Sequence, residues 1–281
     1  MLERLLRKVA EQQTGGSFTF SVVVADNDES GSARAVVEKV QKEAAFRIAY
    51  HLQPIKNIAL TRNTAVLNAT GDYIAFIDDD EFPGATWLLT LLETIEKFSM
   101  AGVLAPVVPH FEREPPQWVR AGKFYERPRH PTGFALSWAE CRTGNVLFRR
   151  SILLGEELPF LPEFGTGGED QDFFRRMVER GHRFIWCDEA GVWETVPPER
   201  WDKKIMLNRA LLRGRNSLRH ENARTKNLLK SAIAFPLYSV ALPFLRLAGE
   251  HHYIKYLVKT ADHAGRLLAS LNLNPVKSRV G

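Results

Sequence analysis

The chain has 281 residues, of which 44% are hydrophobic and 25% charged. These values belong to a globular protein rather than a disordered one, and the length suits one large domain or one domain with an appendage. The net charge of +5 is uneven: from Pro198 onward 16 Lys+Arg face 5 Asp+Glu, while the rest of the chain is net acidic. A basic tail behind an acidic body predicts an anionic partner for the tail, either nucleic acid or a membrane surface.

Leu2, Leu5, Leu6 and Val9 follow helical spacing, so the chain opens with a helix that Gly15-Gly16 ends. The start lacks the apolar core of a signal peptide. Phe18 to Val24 reads as a strand, Ala33 to Ala44 as a helix, Phe46 to His51 as a strand and Asn57 to Ala69 as a helix. Tyr73 to Ile77 reads as a buried strand running into Asp78-Asp79-Asp80-Glu81. Pro83 suits the start of the next helix, which runs towards Phe98, and Gly102 to Val108 reads as a further strand. This alternation predicts an α/β domain with a largely parallel sheet.

The rhythm breaks at Pro109–Pro131, which is rich in proline and carries Trp118, Phe124 and Tyr125. Long irregular segments are usually functional; an ordinary surface insertion fits equally well. Ala139 to Arg149 reads as a strand, Glu169 to Arg180 as a helix and Phe184 to Cys187 as a last strand, before a basic helical region. Cys141 and Cys187 each sit in an apparent strand, without metal-ligand spacing, and read as reduced thiols of a cytosolic protein. The longest uncharged run, Ser231 to Leu245, is interrupted by Pro236 and Pro243 and is short for a membrane span.

Three stretches carry candidate chemistry. Four consecutive acids cannot enter a packed core unpaired, so the strand that they end must reach a surface or cleft. Residues two apart in an extended segment point the same way, so Asp78 and Asp80 can converge as hard oxygen ligands for Mg²⁺ or Mn²⁺; a solvated acidic turn is the alternative. Gly165-Thr166-Gly167-Gly168 precedes Glu169-Asp170-Gln171-Asp172. Acids in a first helical turn are often only dipole partners. By helical phase Asp170 shares a face with Phe174 and Met177 and turns to the packed side, whereas Asp172 turns to water. The positive helix end favours a charged carboxylate, as a general base requires. The third stretch, Val23 to Asp28, ends a strand in Asp26-Asn27-Asp28, which suits either a base or ribose edge or an Asx-capped turn.

In order, these stretches resemble the family 2 glycosyltransferases of GT-A fold over about residues 1–196. The resemblance implies an α/β fold, a GT-A (nucleotide-diphospho-sugar transferase, Rossmann-like) mixed sheet flanked by helices, with a GT-A domain over 1–197 and a basic, membrane-associated helical region over 198–281. Val24 to Ser30, Asn57 to Asn63 and Tyr73 to Glu81 are similar to its nucleotide segments. They imply nucleotide-sugar binding by Asp26, Asn57, Arg62, Asp78 and Asp79, and metal binding by Asp78 and Asp80. Gly168 to Asp172 is similar to the segment whose Asp is the catalytic base, which places that role on Asp170. Thr143 to Arg150 resembles the acceptor-side strand, and Asn145, Glu169, Arg209 and Arg213 are expected on the acceptor or diphosphate side. Many family members carry a metal-binding His near Glu194, a position where this chain has none.

The implied activity is inverting transfer of a hexose, glucose by resemblance to succinoglycan-type exopolysaccharide glucosyltransferases. The donor is a UDP-sugar, the cofactor Mg²⁺ or Mn²⁺, and the acceptor a lipid-linked saccharide. The expected location is cytoplasmic, peripheral on the inner face of the plasma membrane, with an anionic membrane surface and no nucleic acid as partner. The alternative is a catalytically inactive carbohydrate-binding or scaffold subunit. The resemblance also implies that an interior first strand, between those carrying Asp26 and Asp80, is absent.

Overall fold

The computed structural model describes residues 1–218 and 224–273. The chain forms two compact units. The first comprises Met1–His110 and Arg127–Thr195; the second comprises Phe111–Glu126 and the chain from Val196 onward.

In the first unit, α1 (Leu2–Ala10), β1 (Val22–Asp26), α2 (Arg34–Gln41), β2 (Ile48–Leu52) and α3 (Ile58–Leu67) lead into β3 (Tyr73–Ile77) and β4 (Glu81–Pro83). Then come α4 (Trp87–Phe98), β5 (Gly102–Leu104) and β6 (Val107–His110). The unit resumes with β7 (Asn145–Arg149), α6 (Glu169–Glu179), β8 (Phe184–Trp186) and β9 (Val192–Thr195); α5 (Gln117–Gly122) lies in the second unit. The sheets are mixed rather than largely parallel. Strand order is β3-β7-β5-β8 in the largest, with β7 antiparallel to both β3 and β5, and β5 parallel to β8. A second sheet runs β4-β9-β6, and β1 pairs with β2 in a third. Among the described residues β1 pairs with β2 alone and β3 with β7 alone, so each keeps one open edge.

Two-residue alternation separates the two cores of the large sheet. Val146, Phe148, Leu104, Phe184 and Trp186 pack with α3 and α6 through Ala59, Phe173, Phe174 and Met177. Leu147, Val103 and Ile185 pack with Trp87, Leu91 and Ile95 of α4. Helices therefore cover both faces.

Several elements differ from the sequence reading. Pro83 pairs with Val192 in a strand, and α4 starts four residues later. The segment before β7 is a 3₁₀ turn, Trp138–Glu140, held by a capping box between Ser137 and Glu140. Neither cysteine lies within a strand, but both are buried and free.

The second unit contains α5, α7 (Lys203–Asn216), α8 (Arg224–Ala248) and α9 (Glu250–Ser270). Arg213 and Arg266 both pair with Asp262, and Lys203 with Glu250. Ser231 of α8 lies 3.0 Å from the His263 ring nitrogen Nδ1 of α9. The aromatics of the 109–131 segment engage one another: Phe111 packs on Tyr125 and Trp201, and Trp118 on Phe124. Pro236 and Pro243 sit inside α8 without ending it. Both are exposed, so water reaches that side of the helix.

Candidate active site

The acidic run sits where β3 leaves the large sheet and β4 enters the next. Backbone bonds fix this turn: Glu81 N–H donates to Asp78 O, and Thr195 N–H donates to Asp80 O. The Glu81 side chain folds inward and accepts a hydrogen bond from Asp78 N–H at 3.1 Å. Only 2% of Glu81 is exposed. Burial, and then the Asp78 charge, push its carboxyl up to about 9. Glu194 lies opposite Glu81 in the β4–β9 pair and is held by Arg127 at 2.8 Å. The Asp78 side chain keeps 52% of its surface open to water. The surrounding protein nevertheless raises its pKa by desolvation, Arg62 opposes that shift, and Asp80, Asp79 and Glu194 add to it. An accessible carboxylate crowded by protein describes the wall of a cleft. Gly144 supplies bare backbone there: a Cβ on it would meet Glu81 Oε1 at 2.9 Å and Asp78 Oδ2 at 3.6 Å.

Arg62 connects this turn to α6. Its guanidinium ion-pairs with Glu169, at the first position of α6, and lies 4.0 Å from Asp78 Oδ1. Glu169 is 3% exposed. Asn57 caps α3 by accepting from Leu60 N–H, and its amide donates to Pro162 O. Six residues on, Asn63 clamps the same loop through Phe160 N–H and O. These bonds set α3, and hence Arg62, against the start of α6. Gly167 and Gly168 have φ of 125° and 100°, so the glycines serve the entry into the helix.

Asp170 follows Glu169 in the first turn and is partly exposed; burial pushes the nearby Cys141 thiol up to about 12, and the Glu140 and Asp170 carboxylates add to that shift. Asp172 does not turn to water. It is 1% exposed and binds Arg175 at 2.9 Å and Arg176 at 2.8 Å. The buried stripe of α6 runs through Glu169, Phe173 and Met177, with Asp172 beside it and Asp170 about 100° away from Glu169.

The other predicted residues divide. Both Asp26 oxygens hold the fold, accepting from Asp28 N–H, Ala33 N–H and Tyr50 Oη–H. Asn145 is a correction: it is buried, accepts from Trp87 Nε1–H and donates to Pro106 O and Ala190 O, so its amide joins the sheets instead of facing an acceptor. Asp79 is exposed and Asp80 partly so. Arg209 and Arg213 lie on α7 in the second unit, where Arg213 binds Asp262 at 3.0 Å. Sequence reasoning missed Glu81, Arg127 and Asn63 as parts of the site. Glu81 stood in the acidic run, but only the β4–β9 pairing reveals its burial. Among the described residues no three His, Cys, Asp or Glu side chains form a ready-made metal cage.

The buried Glu81 carboxyl predicts a pH effect on stability. Its folded pKa lies above the ordinary 4.5, so the folded state keeps a proton that the unfolded chain has lost. Its contribution is full below about 4.5 and is lost as pH rises towards about 9. Urea titrations should show a decline of up to about 1.4 kcal/mol per pH unit in that window. Glu81→Gln should flatten it; an unchanged slope removes Glu81 as the cause.

A family model described as glycosyl transferase family 2 matches residues 1–154, more than half of the chain. The chain belongs to glycosyl transferase family 2. The succinoglycan biosynthesis protein ExoM of Rhizobium meliloti (strain 1021) is 40% identical over 205 residues, 71% of this chain. That match spans 64% of the relative's length, less than two thirds. Solved structures share its GT-A fold. S. aureus TarS 1-349 in complex with UDP aligns at TM-score 0.52 and 16% identity, covering 100% of this chain and 93% of that one. The TarS complex with UDP-GlcNAc gives TM-score 0.52 and 14% identity over the same shares. GalNAc-T7 with UDP, GalNAc and Mn²⁺ gives TM-score 0.52 and 14% identity, over 75% of this chain and 44% of that one.

Proposed function

We propose that this chain transfers a hexose from a UDP-sugar to a lipid-linked or oligosaccharide acceptor in exopolysaccharide synthesis. The observation that carries the reading is Arg62, which meets Asp78 of the β3 turn and Glu169 beside Asp170. The pairing gathers two acidic motifs distant in sequence at one site. The succinoglycan relative supports the pathway, and UDP complexes of the same fold support the donor class.

Asp170 takes the proton from an acceptor hydroxyl, whose oxygen then attacks the anomeric carbon as UDP departs in a single inverting displacement. The donor set suits a divalent cation: Asp78 and Asp80 offer hard oxygens, their mutual repulsion favours a cation between them, and Gly144 leaves room beside Asp78. Mg²⁺ or Mn²⁺ bound there supplies charge neutralisation for the leaving diphosphate. Asp26 and Asn57 act by holding the loops around the nucleotide; Arg62 and Asp79 face its ribose and phosphates. The transferase domain expected over 1–197 corresponds to the first unit, without the 111–126 segment that belongs to the second, and the basic helices from 198 onward place the protein on the inner face of the plasma membrane.

The test is UDP release from a panel of UDP-sugars with Mg²⁺ or Mn²⁺, with and without saccharide acceptors. Release that requires metal and one donor supports the reading. UDP binding without release from any donor favours an inactive carbohydrate-binding subunit.

A further inference from the structure

The outer face of α8 presents six large apolar side chains to solvent. Leu229, Ile233, Leu237, Val240, Phe244 and Leu247 are 63–88% exposed. Their spacing of four, four, three, four and three residues places them on one stripe about 27 Å long. A soluble helix normally turns such a stripe inward, yet α8 packs on α9 through its opposite side, where Tyr238 meets Tyr256 and Ser231 meets His263.

We propose that this stripe of α8 inserts into the lipid surface and lies in its plane, as the chain's membrane-docking face. The proposal rests on the membrane location proposed above and names the face and the force: apolar insertion, with basic residues as flanking contacts.

The charges favour anionic lipid over a second copy of the chain. The helix has no acidic residue, while Lys226 and Lys230 precede most of the stripe and Arg246 stands near its end. Two copies pairing these stripes antiparallel would bring Lys226 and Lys230 against the partner copy's Arg246, with no carboxylate on either helix to offset them. Anionic headgroups match both ends. Lys203 and Arg213 of α7 are already engaged with Glu250 and Asp262.

By length and composition Thr225–Ala248 could also cross a bilayer. Two features favour the in-plane arrangement. The partner helix α9 carries Lys255, Lys259, Asp262 and Arg266, which would have to enter hydrocarbon beside a spanning α8. Pro236 and Pro243 free the carbonyls of Ala232 and Ser239, about 100° round the helix from the stripe's centre. At that angle the carbonyls of an in-plane helix sit at headgroup level, within reach of water. The middle of a bilayer offers none.

The experiment is flotation of the full chain with phosphatidylcholine vesicles containing about 30% phosphatidylglycerol, with alkaline carbonate extraction of the floated material. The wild type should float and be released by carbonate, and the Leu237→Glu/Phe244→Glu variant should partition at least about tenfold less. Circular dichroism and UDP release without lipid should match the wild type, which separates lost insertion from lost folding. If the double variant floats like the wild type, the membrane location stands and the role of α8 falls. If the wild type fails to float, both fall. Retention after carbonate overturns the in-plane arrangement. A wild-type dimer that the double variant converts to monomer overturns lipid as the occupant.

Discussion

Replacing Asp170 with asparagine should lower transfer by about 10²–10⁴-fold, the usual worth of a positioned base. That range corresponds to about 2.7–5.5 kcal/mol in the barrier. The substitution is nearly isosteric, and asparagine retains an oxygen for the Gln171 N–H that Asp170 accepts. Asp170 is partly exposed, outside the packed stripe of α6, so little of the fold depends on its charge. UDP affinity should therefore stay within about twofold while turnover falls, the pattern of a group that acts only in the transition state. Glu169→Gln provides the contrast. It weakens a buried partner of Arg62 and should lower stability and donor binding together. Single-turnover transfer alongside calorimetric UDP titration separates the two variants. Unchanged turnover in Asp170→Asn removes Asp170 from the role of base.

The second large effect lies in the helical unit. Gly214 of α7 and Gly265 of α9 face each other's helices so closely that a Cβ on Gly214 would meet Asp262 O at 2.0 Å, and one on Gly265 would meet Leu211 O at 2.2 Å. Both obstacles are backbone, which no rotamer change relieves. Alanine normally favours a helix over glycine by about 0.8–1 kcal/mol. Gly265→Ala and Gly214→Ala should instead each destabilise by about 3 kcal/mol or more, because α7 and α9 must separate. The reversal of sign is the diagnostic. Gly191→Ala meets Pro106 only at ordinary contact distance, 3.8 Å, and should lie within about 0.5–1 kcal/mol of wild type. Urea unfolding followed by circular dichroism measures all three. A stabilised Gly265→Ala would refute the close crossing.

Local signals made much of this fold legible. The Tyr73–Ile77 run forms its predicted strand because β-branched and aromatic residues end in charge that must leave the core. Asn57 caps its helix as its residue type suggests. The errors arose where tertiary pairing decided the outcome. Val192–Thr195 has β-favouring residues, but the run is only four residues long and stops just before Pro197-Pro198, and its pairing with β4 and β6 is what makes it a strand. Pro83 fits a short strand because β4 is the edge of its sheet. Helical phase sends Asp172 to water, but two arginines meet it, and a paired carboxylate can be buried where a lone one cannot. The Asp26, Asn57 and Asn145 side chains illustrate a related limit. A motif shows which residues are constrained, whereas hydrogen bonds show whether they hold a ligand or the loops around it.

The Asn145 junction gives the molecule a built-in reporter. Of the six tryptophans, Trp87 is the one whose indole N–H donates to Asn145, at a point where β7, the turn after β5 and the loop before β9 converge. That proton is shut away from water, so its exchange with deuterium tracks the rarest openings of the first unit rather than local fraying. One indole resonance can thus register whether a substitution in the cleft has loosened the sheets behind it, before any loss of helix becomes visible.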